Sequence, residues 1–154
     1  MRWHRHTAVA LLASSLVAAG CGGVKADGNR YVERVNRAQQ DFANQVERLS
    51  KNITPTSSAE SDRRTLRSFE RAVDEVGVDL RRISPPPEVR GLHATLIRAV
   101  DGYGIEVRDA TAAMSSRSPT RLRRAQRRLA AATTSFGTTI NHTIDAINKR
   151  LGAS

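Results

Sequence analysis

Leu66, Phe69, Val73, Val76, Leu80 and Ile83 follow one another at alternating steps of three and four residues. That spacing returns every apolar side chain to one face of an α-helix and to no constant face of a strand. An isolated helix would leave such a stripe in water, so the chain must supply another apolar face to cover it. It does so three more times. From about Asn29 to Lys51 the stripe is Val32, Val35, Phe42, Val46 and Leu49, with Gln39 filling one seam position and Ile53 just beyond. From about Pro87 to Met114 it is Val89, Leu92, Leu96, Ala99, Tyr103, Val107, Ala110 and Met114. From Ser118-Pro119 onward it is Leu122, Ala125, Leu129, Ala132, Phe136, Ile140, Ile144, Ile147 and Leu151.

The breaks between these segments are short and chemically explicit. Asn52-Ile53-Thr54-Pro55-Thr56 and Ser84-Pro85-Pro86-Pro87 stop a helix, because proline has no N–H to donate and clashes with the preceding turn. Ser57 to Glu60 has capping-box spacing, and Ser118-Pro119 pairs a cap with proline at the first helical position. Short links favour antiparallel neighbours, so an all-α, antiparallel up-down four-helix bundle is the expected fold. A three-helix bundle with a detached first helix is the alternative. No segment alternates like a strand, and no repeat of 20–50 residues is present.

Ahead of the stripes stands a different kind of segment. Arg2 and Arg5 make a positive start, an apolar run follows from Ala8 to Ala19, and Leu16-Val17-Ala18-Ala19-Gly20-Cys21-Gly22-Gly23 closes it. The apolar run falls well short of the ~20 residues a membrane-spanning helix needs and has the length of a secretory h-region. This N-terminus resembles the lipobox signal of bacterial lipoproteins, in which small residues precede a cysteine that is acylated and becomes the new N-terminus. Where that family usually carries leucine three positions before the cysteine, this chain has Ala18. The resemblance implies a signal peptide over 1–20, a lipidated Cys21 opening a flexible spacer over 21–28, and a bundle domain over 29–152. It also implies a palmitate-type anchor and a place on the extracytoplasmic face of the cell membrane. A plain cleaved signal with an incidental thiol, and a retained N-terminal anchor, are the other readings. Cys21 is the only cysteine, so no intramolecular disulfide can form.

Removal of Arg2 and Arg5 with residues 1–20 lowers the net charge from +10 to +8. Arginine supplies 22 of the 25 basic residues, the pattern of a high-GC genome, which here resembles a Gram-positive one. A basic domain beside a membrane is drawn to anionic lipid heads and wall polymers. An envelope protein is a further possible partner, whereas export argues against nucleic acid.

Arg117, Arg121, Arg123, Arg124, Arg127 and Arg128 form the densest charge cluster, with no acid between them. Those at 117, 121, 124 and 128 share a helical face, where like charges repel unless an anionic partner or acids of a neighbouring helix lie opposite. The cluster is the expected anionic-surface contact; the bland alternative is a solvated face in an arginine-rich proteome. His93 and His142 are expected at one height of a hairpin but diverging, with His142 outward, so no metal site is expected. No cofactor is expected either, since Glu-x-x-His pairs and a Cys-x-x-Cys-His haem motif are absent. Gly102-Tyr103-Gly104 weakens the third helix and invites a kink, a close helix approach or a small ligand cavity at Tyr103. The hydroxyls of Thr133 to Thr143 are expected to bond back to the helix backbone. With no Gly-x-Ser-x-Gly or Ser-x-x-Lys motif, an enzyme is not expected. The expected function is a non-catalytic interaction or structural module of the envelope, with a small-ligand-binding helical bundle as the alternative.

Overall fold

A computed structural model describes residues 23–152, Pro55 and Arg117 excepted. Residues 1–22, which hold the export signal and Cys21, lie outside the described residues, as does Arg117. The described chain is a helical bundle with no strand: α1 (Gly23–Ser50), α2 (Ala59–Arg82), α3 (Arg90–Met114) and α4 (Pro119–Leu151).

Local chemistry sets most of the boundaries. The Ser58 hydroxyl accepts the Ser61 N–H at 3.2 Å and caps α2. The cap therefore sits one residue beyond the capping box expected at Ser57. Ser57 is occupied otherwise: its hydroxyl accepts the Thr54 N–H at 3.1 Å and donates to Asp62 Oδ1 at 2.6 Å, which ties the link to the helix. Ser118 caps α4 by accepting the Arg121 N–H at 3.3 Å, with Pro119 at the first position as expected. Gly152, at φ 67°, closes α4 in the left-handed conformation that glycine takes without strain. The third segment opens with a 3-10 turn over Pro87–Val89 before α3 begins at Arg90.

α1 departs from expectation. It begins at Gly23 and so includes Gly23–Gly28, the stretch expected as a flexible spacer. Nothing there breaks a helix, Asp27 pairs with Arg30 one turn on, and Gly28 is buried against Leu151 at the end of α4. Nor is α1 detached, since Tyr31, Val32, Val35, Ala38 and Phe42 all lie in the core. Ile53, just beyond that stripe, is 37% exposed in the link.

The core runs through all four helices, and Val73, Val89, Leu96 and Val107 are its most enclosed large side chains. At mid-height each helix contributes one aromatic ring. Phe42 lies 6.3 Å from Phe69, Phe69 lies 6.0 Å from Tyr103, Tyr103 stacks on Phe136 at 4.7 Å, and Phe136 returns to Phe42 at 6.4 Å. Three of the four contacts are tilted or edge-on, the arrangement that the ring quadrupole favours. This closed belt joins first helix to last. Ion pairs stitch the outside: Arg81 to Asp101 and Arg108 to Asp74 between α2 and α3, and Arg128 to Glu106 between α3 and α4. Apart from the half-buried Glu106 they are exposed, and they contribute little beyond register.

Packing is uneven along α4. Ile140, Ile144 and Ile147 in its second half are buried, whereas Leu122, Ala125, Leu129 and Ala132 in its first half, and Phe136 at its middle, are only half-buried. The half of α4 with the loosest cover is the half that carries the arginine cluster.

Candidate functional site

The arginines of α4 do not form one uniform patch. Arg128 is held by two acids of α3: its guanidinium lies 2.7 Å from Glu106 Oε1 and 3.3 Å from Asp109 Oδ2. Glu106, the first cause, and Asp109 both hold its proton more firmly than usual. Arg121, Arg123, Arg124 and Arg127 are exposed, and among the described residues no acid lies within 4.0 Å of any of them. Arg123 makes one weak contact, 3.4 Å to the Thr120 hydroxyl. The acids anticipated opposite the cluster thus exist for Arg128 alone. The other four repel one another across three- and four-residue spacings, with no acid to offset them among the described residues.

A groove opens between α3 and α4 on a continuation of the same face. Arg121, Arg124, Arg128, Ser135 and Thr139 are separated by three, four, seven and four residues and so follow one side of α4. Ser135 and Thr139 line the groove from α4 together with Ala132 and Phe136. From α3 come Arg98, Thr95, Ala99, Gly102 and Tyr103. The groove encloses about 290 Å³. Its floor is the stacked Tyr103–Phe136 pair, whose planes differ by 12°. Burial, the larger effect, raises the Tyr103 pKa, while Thr133, 3.3 Å from the phenol oxygen, works against it.

The glycines flanking Tyr103 have different surroundings. A Cβ on Gly104 would stand 3.4 Å from Val73 Cγ1, so this glycine lets α2 approach closely, one of the outcomes foreseen for the motif. A Cβ on Gly102 would meet nothing within 4 Å and would extend into the groove.

His142 is exposed, as its position relative to Ile140 implies. His93 is buried, and its Nδ1 lies 3.2 Å from the Tyr31 hydroxyl of α1. Burial lowers its pKa, and the nearby Leu80 backbone carbonyl partly opposes that shift. The same burial raises Tyr31 to about 12. Sequence placed His93 only next to a seam residue and missed this pairing; an aromatic in register on α1 was the one available hint. The hydroxyls of Thr133, Thr134 and Thr143 donate to backbone carbonyls four residues back, at 2.9, 3.3 and 2.7 Å. They are therefore engaged in the manner expected of helical threonines. Among the described residues no three His, Cys, Asp or Glu side chains gather as a metal cluster would require, and no helix is long and apolar enough to cross a membrane.

Comparison with known proteins yields no matching family model, no matching curated protein and no matching solved structure.

Proposed function

We propose that this chain is a lipid-tethered, non-catalytic docking module of the bacterial envelope. Cys21 anchors it on the extracytoplasmic face, and the arginine-bearing half of α4 contacts an anionic surface there. The observation that carries the reading is the contrast within one cluster: Arg128 is paired with Glu106 and Asp109, while Arg121, Arg123, Arg124 and Arg127 are exposed and have no acid beside them among the described residues. The tether is supported by the small residues before Cys21 and by its being the only cysteine. In lipoproteins such a cysteine receives a diacylglyceryl group and the signal is cut before it. Two acyl chains hold a soluble domain stably where one does so marginally.

The proposed chain path is up-down-up-down. Arg81 meets Asp101 while Arg108 meets Asp74, so later residues of α2 face earlier residues of α3. Likewise Gly28 abuts Leu151 while Phe42 touches Phe136, a pairing that supports opposite directions for α1 and α4. This path brings the ends of α1 and α3 to the end of the bundle where α4 begins.

Two measurements test the reading. Intact mass and detergent partitioning of wild type against Cys21→Ala test the tether; a free thiol on the mature wild-type chain overturns it. Sedimentation of the Cys21→Ala chain with phosphatidylcholine vesicles, with and without phosphatidylglycerol, tests the face. Binding should require the anionic lipid and weaken as salt screens the charges. At about 1 kcal/mol per basic residue near an anionic leaflet, replacing Arg121, Arg124 and Arg127 with Gln should weaken it roughly a hundredfold. Binding that survives this triple replacement overturns the docking face.

A further inference from the structure

We propose that the groove between α3 and α4 is a binding site for a small apolar carboxylate, its apolar body on the Tyr103–Phe136 floor and its anionic group on Arg98. Three independent features of the groove lead there.

The first is its floor. Tyr103 and Phe136 stack at 4.7 Å, and Ala99 and Ala132 continue the apolar lining on either side. A flat apolar body covers such a floor better than water does. The second is the rim. Among the described residues Arg98 is the only charged side chain lining it, with hydroxyls from Thr95, Ser135 and Thr139 around it. The Thr95 hydroxyl accepts from Arg98 Nη2 at 2.8 Å and so steadies the guanidinium at the groove edge. Among the described residues Arg98 has no acidic partner. A guanidinium matches a carboxylate through two parallel hydrogen bonds, and nearby hydroxyls can bond a remaining oxygen. The third is Gly102. Packing does not require glycine there, because a Cβ would meet nothing within 4 Å. In a helix interior alanine would be more stable by about 1 kcal/mol. What the missing side chain does provide is open space over Tyr103.

The size limits the ligand. At about 290 Å³ the groove lies at the low end of the ~300–1,000 Å³ range of small-molecule sites. That suits an aromatic or branched short-chain acid rather than a lipid with full acyl chains.

The test uses the full-length Cys21→Ala chain and two probes of one shape, naphthalene-2-carboxylate and the neutral naphthalene-2-carboxamide, followed by titration calorimetry and by NMR shifts at Ala99 and Ala132. The carboxylate should bind saturably, shift both alanines and bind more tightly than the carboxamide. Gly102→Leu should abolish binding of both probes while the helical circular dichroism and thermal midpoint stay at or above those of wild type. That control separates a filled groove from an unfolded chain. Arg98→Gln should weaken the carboxylate roughly tenfold and leave the carboxamide unchanged. Absence of saturable carboxylate binding, wild-type binding by Gly102→Leu, or equal responses of the two probes to Arg98→Gln would each overturn the proposal. Arg98→Gln should leave vesicle sedimentation intact, and replacing Arg121, Arg124 and Arg127 should leave carboxylate binding intact, so the site and the docking face stand or fall separately.

Discussion

The Tyr31 hydroxyl and His93 Nδ1 lie 3.2 Å apart and join α1 to α3 inside the core. With the ring neutral, the Tyr31 hydroxyl and Nδ1 share one hydrogen bond, whose direction follows from which ring nitrogen carries the proton. Protonating the ring would place a charge among apolar side chains, and this is why burial lowers the His93 pKa.

A pH dependence follows, with a definite sign. In the unfolded chain the imidazole takes its proton near its ordinary value of about 6.5, while the folded chain takes it only at lower pH. The contribution of His93 to stability is therefore full above that ordinary value and is lost as pH falls through the folded one. Urea midpoints should decline more steeply between about pH 8 and pH 5 for wild type than for His93→Gln. Equal slopes would show that the buried ring does not titrate in that window. Tyr31→Phe should cost about 1–3 kcal/mol at neutral pH, because it leaves Nδ1 buried without its hydrogen-bond partner.

The two glycines beside Tyr103 should respond in opposite ways to the same substitution. Gly102→Ala should stabilise by up to about 1 kcal/mol, since the methyl enters open space and helix propensity improves. Gly104→Ala should gain less or lose stability, because its methyl would crowd Val73 Cγ1 at 3.4 Å. Thermal melts of the two variants check the order, and a more stable Gly104→Ala would contradict the tight α2–α3 approach.

Loss of a belt aromatic should be far more damaging than loss of an apolar residue on the loose half of α4. Phe42 is 7% exposed and touches both Phe69 and Phe136, so Phe42→Ala should cost about 3–5 kcal/mol. Leu122 is half-buried and, unlike Leu129 and Phe136, is not packed against the core, so Leu122→Ala should fall below the ~2 kcal/mol that marks a buried leucine. Comparable losses in denaturant unfolding would mean that the first half of α4 is packed as firmly as the second.

Within the arginine cluster, position should matter more than count. Arg128→Gln removes a charge already balanced by Glu106 and Asp109, whereas Arg124→Gln removes one with no such balance. Vesicle binding should therefore fall less for Arg128→Gln than for Arg124→Gln. The reverse order would move the contact surface toward α3.

Helix ends were legible where the signal is local. Ser118 and Pro119 act on donors within the next turn, and the prolines at 85–87 act on their own backbone, so both boundaries follow from a few adjacent residues. The start of α1 was not legible in the same way. Glycines at 22, 23 and 28 suggest a loose spacer, yet the observed helix runs through Gly23–Gly28 and buries Gly28 against Leu151, more than a hundred residues away. The site shows the same division. The arginine cluster could be read directly as a run of charge, but the split of its five described members into one paired and four unpaired side chains depends on how Glu106 and Asp109 of α3 align with α4.

Sequence alone determined that this chain forms four amphipathic helices with proline-marked breaks, because three- and four-residue periodicity and capping act over a single turn. Only the tertiary structure decided that Phe42, Phe69, Tyr103 and Phe136 close into one belt, that His93 faces Tyr31, and that a groove opens above Gly102. The physical reason is that an apolar stripe specifies a direction of burial but not a partner. Partners are chosen by the axial offset and rotation at which whole helices pack, and these depend on all four at once.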